Sequence, residues 1–404
     1  MDQIWPTDEE SKRSLSPVGD GSQPIYLDHH ATTPVDPRVA DVVLYAMTGA
    51  FGNANSIDHG FGETAGALIA TASAAVADLV GSAPGDIYFT SGSTEAIRLA
   101  LAHAISRGRR PPLRVALTSV EHKAVIDAVS IAARVGHVKP RWIEVDAQGR
   151  LLADSLQCAL QAGVDLVCLM AANNEVGTIY PLPEVALQVR ESGAAILVDA
   201  TQAAGRIPLH ARDWGVDYLV VSAHKLYGPK GVGALICPVG DVRGQLCDLI
   251  WASEGTPNVP GIAGLGEACR LRRLEMADDE PRIAALRDHL QSELTASIPD
   301  LAVNGNLSCR LSGNLHVSIP GIPNDAVVAR LRKSVAISTG SACASGAHGP
   351  SHVLQAMALP EQLQEGALRI GIGKFNTEGE IDRAAKEITA AVAAVKASLQ
   401  GALR

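Results

Sequence analysis

Between Ile87 and Ile236 the chain repeats one pattern: a short apolar run, polar residues at its C-terminal end, then a stretch of helical character. Ile87-Tyr-Phe89 leads into Thr90-Ser-Gly-Ser-Thr94 and a helix beginning near Glu95. Arg114-Val-Ala-Leu117 leads to Glu121-His122, and Leu166-Val-Cys-Leu-Met170 to Asn173-Asn-Glu175. Ala195-Ile-Leu-Val198 ends on Asp199, Tyr218-Leu-Val-Val221 ends on Ser222, and Gly233-Ala-Leu-Ile236 closes the series. Continuous apolar runs of this length are strands buried on both faces, so the pattern describes an α/β fold with a mainly parallel sheet between helical layers. Ligands of such open sheets bind beyond the C-terminal ends of the strands, which is where the polar residues fall.

The last third reads differently. Glu267 to about Ser297 is helical and charged, and Leu311 to Ile319 alternates like a strand. Thr377-Glu-Gly-Glu380 has the capping-box spacing that opens a helix, and Ile381, Ile388, Val392, Val395 and Leu399 follow at helical intervals as a core-packing stripe. The expectation is a large domain over 37–275 and a smaller α+β domain built from 25–36 and 276–404. Residues 1–24 form a polar, acidic tail expected to be disordered.

At 404 residues the chain suits two or three domains. Aromatic residues make up only 3% and the net charge is −9, so neither a base-stacking surface nor a polyanion-binding face is expected. No apolar run reads as long enough to span a bilayer, and the N-terminus lacks a leader pattern; a cytoplasmic location follows as an expectation. None of the seven cysteines forms a CxxC pair, so no metal site is expected, and most read as small buried hydrophobes. Cys343 differs, because it lies among the small residues Ser338-Thr-Gly-Ser-Ala-Cys-Ala-Ser-Gly346.

The chemistry concentrates around Ser222-Ala-His-Lys225. A lysine at the end of a buried strand has its charge disfavoured by burial, which makes its amine a nucleophile able to hold an aldehyde cofactor as a Schiff base. A lone lysine is ordinarily an exposed loop residue, but the other strand ends carry what pyridoxal phosphate needs. Ser91-Gly-Ser-Thr94 opens a helix and offers N–H groups and hydroxyls to a phosphate. Asp199 ends an apolar strand and needs a cationic partner, which a pyridinium N–H supplies. Gln202 can donate to a ring hydroxyl, His122 can stack on the ring, and Ser222 and His224 flank the lysine.

These residues sit in motifs that resemble the NifS/IscS-type cysteine desulfurases, in the class V aminotransferase group of fold-type I pyridoxal phosphate enzymes. The similarity runs from about Ile25 to Leu399, through Tyr26-Leu-Asp-His-His-Ala-Thr-Thr-Pro-Val-Asp-Pro-Arg38, Gly52-Asn-Ala-Asn-Ser56, Phe89-Thr-Ser-Gly-Ser-Thr-Glu95, Glu121-His-Lys-Ala-Val125, Asn173-Asn-Glu-Val-Gly177, Val198-Asp-Ala-Thr-Gln202, Ser222-Ala-His-Lys225, Gly255-Thr-Pro-Asn258, Gly340-Ser-Ala-Cys343 and Leu368-Arg-Ile370. The resemblance implies a seven-stranded, mainly parallel sheet in the large domain. It implies that Lys225 anchors the cofactor and moves the substrate's α-proton, that His122 stacks on the ring, and that Asp199 and Gln202 meet its nitrogen and oxygen. Ser93, Thr94, Ser222 and His224 would bind the phosphate, with Thr256 reaching the phosphate of a neighbouring subunit in a homodimer. Asn174, Arg369 and Ala31 would hold L-cysteine, and Cys343 would take its sulfur as a persulfide for a sulfur-acceptor protein, for instance in iron–sulfur cluster assembly.

One stretch departs from the pattern. Residues 241–254 are shorter than in the family, lack its triple glycine and carry no arginine near Ser253-Glu254. The expectation is an enzyme slow by itself or dependent on a partner. Selenocysteine lyase, a C–S lyase that releases sulfide directly, and a non-catalytic relative of the same fold are the alternatives; Cys343 discriminates among the enzymes.

Overall fold

The computed structural model describes residues 24–108, 111–238, 255–340 and 351–402. The tail, the 241–254 segment and Cys343, all singled out above, lie outside the described residues.

The chain begins with β1 (Ile25–Tyr26), α1 (Pro37–Thr48) and α2 (Gly60–Val80). Then come β2 (Ile87–Thr90), α3 (Ser93–Arg107), β3 (Leu113–Thr118), α4 (Lys123–Arg134), β4 (Val138–Ile143), α5 (Ala153–Gln161), β5 (Leu166–Met170), α6 (Leu182–Glu191), β6 (Ala195–Asp199), β7 (Tyr218–Ser222) and β8 (Gly233–Ile236). The remaining elements are α7 (Val259–Ser297), β9 (Ala302–Val303), β10 (Asn314–Ser318), α8 (Asn324–Leu331), β11 (Val335–Ala336), α9 (His352–Ala356), α10 (Glu361–Glu365), β12 (Ala367–Gly371) and α11 (Glu378–Ala402).

Strands β2 to β8 form one seven-stranded sheet in the order β2-β8-β7-β6-β5-β3-β4. Every neighbouring pair is parallel except those of β8, which runs against β2 and β7. The apolar runs are continuous because each face has its own core. Leu166, Cys168, Leu197 and Val220 pack on one side, while Val167, Leu169, Ile196 and Val221 pack on the other. Six of the seven strands follow the apolar runs. The seventh, β4, does not: Lys139, Pro140, Arg141 and Trp142 are exposed on this edge strand, and only its end residues are buried.

A second core surrounds an antiparallel sheet, β12-β10-β9, and the short parallel pair β1-β11. Leu27, Leu290, Leu315, Val317, Ile370, Ile381 and Ile388 fill it. The capping box of α11 is formed: the Thr377 N–H donates to Glu380 Oε2 at 3.0 Å and the Glu380 N–H to Thr377 Oγ1 at 3.3 Å. The stripe is buried as far as Val395, but Leu399 is exposed, because the helix runs past the core before it ends. Val353, Leu354 and Met357, from α9 and the residue after it, join the large core although they fall within the sequence range of the smaller domain.

One expectation needs correction. Helix α2 is long and apolar enough by length and composition to cross a membrane. Its apolarity comes largely from alanine and glycine, and its buried side, including Leu68, Ala72 and Val76, packs within the protein core. Among the described cysteines, Cys168, Cys237 and Cys269 are buried, but Cys158 and Cys309 are exposed thiols.

Candidate active site

A cavity of about 170 Å³ opens at the C-terminal ends of β5, β6 and β7, beside the start of α3. It gathers predicted residues scattered over more than three hundred positions of chain: Ala31, Ser93, Thr94, His122, Asn174, Asp199, Gln202, His224, Lys225 and Arg369. A larger cavity, about 720 Å³, lies at the opposite ends of the strands beside Arg107, Arg114, Asp165 and Asp217. Its Arg114 is already paired with Asp165 at 2.6 Å, and none of the site residues expected from the sequence lines it.

Lys225 is 9% exposed. Its Nζ donates to the backbone oxygens of His30 and of Ala31, the latter at 2.7 Å. The chain turns sharply just after it, where Tyr227 adopts φ 63°, a left-handed conformation that costs on the order of 1–3 kcal/mol for a side chain of this size. Contacts from 28–36 hold this turn. Thr33 Oγ1 accepts from the Tyr227 N–H at 2.8 Å, the Thr33 N–H donates to the His224 oxygen at 2.8 Å, and the Asp36 N–H donates to the Tyr227 oxygen at 2.9 Å.

Asp199 is buried at the end of β6. Its Oδ1 accepts from the Thr201 N–H at 3.0 Å, and it makes no ion pair among the described residues. His122 caps α4, with Nδ1 accepting from the Ala124 N–H at 3.1 Å; this places the proton of the neutral ring on Nε2. Burial pushes His224 down to about 4, helped by Lys225 and Lys230, so its ring is neutral at pH 7. At the start of α3, the N–H groups of Ser93 and Thr94 have no hydrogen-bond partner among the described residues. They belong to the first turn, whose donors have no intrahelical acceptor and so suit an anion.

Arg369, on β12, is 2% exposed. One Nη donates to the Asn174 oxygen at 3.1 Å and the other pairs with Asp28 at 3.0 Å, while Nε is buried without a partner among the described residues. Ser222 is buried beneath the cavity and does not line it. Thr256 is exposed near the start of α7, also away from the lining.

Several functional neighbours were not singled out from the sequence. His30, also in the lining, clamps Gln202: its Nδ1 lies 3.1 Å from Gln202 Oε1, and its backbone oxygen accepts from Gln202 Nε2 at 2.9 Å. Gln202 therefore keeps one N–H for a ring oxygen, not the whole amide. Arg206 donates to Gln202 Oε1 at 2.6 Å and to the Lys225 oxygen at 3.3 Å. Asp28 is the counter-ion of Arg369. Glu121 is buried next to His122, its Oε1 accepting from Thr118 Oγ1 and the Met170 N–H; burial, reinforced by Asp199, pushes it up to about 8. The position of Asp28 two residues after β1 was a usable signal, since an acid so close to an apolar strand needs a partner.

Comparison with known proteins agrees with this geometry. The family model described as aminotransferase class-V matches residues 25–384. The cysteine desulfurase IscS of Anaeromyxobacter sp. (strain Fw109-5) is 40% identical over 366 residues, which is 89% of this chain and 90% of that protein. A solved structure described as a NifS-like protein superposes with a TM-score of 0.80 at 32% identity, covering 91% of this chain and 98% of the other. Another, described as SspA in complex with cysteine, gives a TM-score of 0.73 at 27% identity, covering 87% of this chain and 100% of that one.

Proposed function

The chain belongs to the aminotransferase class-V family and is a cysteine desulfurase, and on that premise we propose how its own residues carry the reaction. Members of this family use pyridoxal phosphate, which when bound supplies an electron sink for the α-carbon of an amino acid. The residues present fit that cofactor. The unpartnered N–H groups of Ser93 and Thr94, with Ser222 and His224 near them, suit its phosphate. Asp199, buried with no ion-pair partner among the described residues, suits its ring nitrogen, Gln202 its ring oxygen and His122 its face.

Lys225 would hold the cofactor's aldehyde, and its freed Nζ would take the substrate's α-proton and return it before L-alanine leaves. The His30 and Ala31 oxygens hold that nitrogen beside the cavity. Arg369 and Asn174 hold the substrate carboxylate, with the unpartnered Arg369 Nε as one donor, and Ala31 shapes the wall. Cys343, as thiolate, attacks the sulfur of the substrate. The substrate's carbon–sulfur bond breaks, its electron pair stays on carbon, and that carbon takes up a proton. L-Cysteine and the Cys343 thiol thus become L-alanine and a Cys343 persulfide, whose outer sulfur passes to a thiol of an acceptor protein, as iron–sulfur assembly requires. The convergence of Lys225, Asp199 and Arg369 on one cavity, from two strand ends of one domain and a strand of the other, carries this reading.

A homodimer completes the proposal. Leu44, Met47, Phe51, Ile57 and Phe61 are exposed around α1 and the start of α2. Val259, three residues after Thr256, packs with Val42, Ala46 and Ala65 of these same helices. Thr256 and the apolar residues therefore share one side of the molecule, where a second copy would cover the apolar surface and receive Thr256 at its phosphate. The described cysteines are all free thiols, which suits the reducing cytoplasm.

The test is alanine formation from L-cysteine together with detection of the Cys343 persulfide. Cys343→Ala is expected to abolish the persulfide and its transfer. Alanine and free sulfide made by Cys343→Ala at the wild-type rate would identify a direct lyase instead. Adding acceptor proteins reads the partner dependence expected from 241–254: equal rates with and without them sink that expectation.

A further inference from the structure

We propose that Arg206 is a positioning residue that acts through Gln202: it fixes which way the Gln202 amide faces, and its charge strengthens the N–H that this amide presents to the cofactor's ring oxygen. The proposal rests on the reading above that Gln202 meets that oxygen. Arg206 Nη1 donates to Gln202 Oε1 at 2.6 Å, the shortest of its contacts. The same nitrogen donates to the Gln202 backbone oxygen at 3.1 Å and lies 3.4 Å from His30 Nδ1. Nη2 donates to the backbone oxygens of His29 and Lys225, both at 3.3 Å.

An amide has an acceptor end and a donor end. With a guanidinium against one end only the oxygen can sit there, since the reverse orientation would set two donors against each other. The NH2 end is thereby turned to the His30 oxygen, which accepts from it at 2.9 Å, and to the cavity that Gln202 lines. Arg206 is itself fixed. Its N–H donates to the Ala203 oxygen at 2.9 Å. The preceding Gly205 has φ +69°, and its oxygen accepts from Nε of Arg272 at 2.8 Å, a side chain only 1% exposed. One turn therefore carries both the amide and the group that orients it.

Stapling the backbone alone does not account for a cation here. Arg206 makes no ion pair among the described residues, and every acceptor it meets is uncharged. The acids Asp279 and Glu280 are taken by Arg272 instead, at 2.5 and 2.7 Å. Burial pulls its pKa below the ordinary arginine value, yet a guanidinium stays charged at neutral pH. A neutral donor would reach the same backbone oxygens without carrying an uncompensated charge into the protein. What it would lack is a positive charge on Gln202 Oε1, which polarises the amide and makes its remaining N–H a stronger donor. Such a donor suits an oxygen that bears negative charge, as an ionised ring hydroxyl does.

The experiment titrates the full-length chain, freed of cofactor, with pyridoxal phosphate and with its analogue that lacks the ring hydroxyl. Arg206→Gln is expected to weaken pyridoxal phosphate by about tenfold, the worth of one charge-assisted hydrogen bond, and the analogue by less than about twofold. Equal weakening of both ligands would make Arg206 a general staple, and an unchanged affinity for pyridoxal phosphate would leave it no role in holding the ring; either result overturns the proposal. Gln202→Ala should show the same selective loss. Adding Arg206→Gln to it should cost no further discrimination between the two ligands, and a second loss of the same size would place the action of Arg206 elsewhere and overturn the proposal. Arg206→Met is the companion variant should Arg206→Gln not fold. It fills the space without donating, so the same selective loss is expected, and equal or absent losses overturn the proposal in the same way. A wild-type chain that binds both ligands equally would instead overturn the Gln202 reading, and one that binds neither would overturn the cofactor reading, results that no Arg206 variant can mimic.

Discussion

The C-terminal edge of the large sheet and the irregular segment 28–36 face each other across Lys225, and they contribute to the site by opposite means. The sheet edge supplies side chains: Asp199 from β6, His122 after β3, Asn174 after β5 and Lys225 after β7. The 28–36 segment works largely through its backbone, giving the His30 and Ala31 oxygens to the lysine. The edge thus decides which chemistry is possible, and the segment decides where the reactive nitrogen waits. Functional groups on a sheet edge are replaceable one at a time, whereas carbonyls move only if the segment moves.

Lys225→Ala should have the largest effect, removing the cofactor's lysine-bound absorbance and lowering alanine formation by about a thousandfold or more. Retention of that band would break the assignment of the sheet edge as the cofactor side. Asp28→Asn comes next, because Asp28 is the charged side chain by which 28–36 reaches Arg369, the residue proposed to hold the substrate carboxylate. Removing one partner of a buried ion pair costs about 3–5 kcal/mol, so the urea midpoint should fall and KM for L-cysteine should rise. An unchanged KM would assign Asp28 to folding alone.

Glu121→Gln tests the acid buried behind the sheet edge. In the native chain Glu121 holds its proton up to about pH 8, whereas in the unfolded chain it ionises near 4.5. Between those values the folded state binds more protons than the unfolded one, so stability falls as pH rises through the window. The variant should flatten that slope by about one proton, read from urea midpoints at pH 5 and pH 8.5. An identical slope in both proteins would place the ionisation elsewhere. His30→Ala should matter least. It removes only the ring half of the Gln202 clamp and leaves the His30 backbone oxygen and Arg206 in place, so kcat is expected to fall by only a few fold, about 1 kcal/mol or less of barrier. A loss as deep as that of Lys225→Ala would mean that the segment acts through side chains after all.

The same contrast explains what could be read from the sequence. Strands β5, β6 and β7 announced themselves because burial on both faces leaves room only for apolar residues, and Asp199 and Lys225 stood out against them. Strand β4 was silent because it lies at the edge, with Lys139, Pro140 and Arg141 in solvent. Helix α7 begins at Val259, ahead of the expected Glu267, because Pro260, Gly261, Gly264 and Gly266 read as loop residues. At Gly266 the small residue serves close packing: a Cβ there would lie 2.5 Å from Ala72 Cα of α2. The His30 and Ala31 oxygens were invisible for a simpler reason, since every residue has a carbonyl. Arg206 sits in a turn, where no periodicity marks a residue as part of a site.

Helix α7 has a consequence for how the molecule comes apart. Its first half, through Ile262, Leu265 and Leu271, belongs to the large core, and its second half, through Ile283, Leu286 and Leu290, belongs to the small one. Between them Arg272 is held by Asp279 at 2.5 Å and Glu280 at 2.7 Å, bracing the helix just before Pro281. Losing either core would strip one half of this helix of its packing, and a bare helical segment in water is only marginally stable. The two cores are therefore expected to melt together, and scanning calorimetry checks this: a single heat-absorption peak with agreeing calorimetric and van't Hoff enthalpies is the expected outcome, and two resolved peaks would separate the cores.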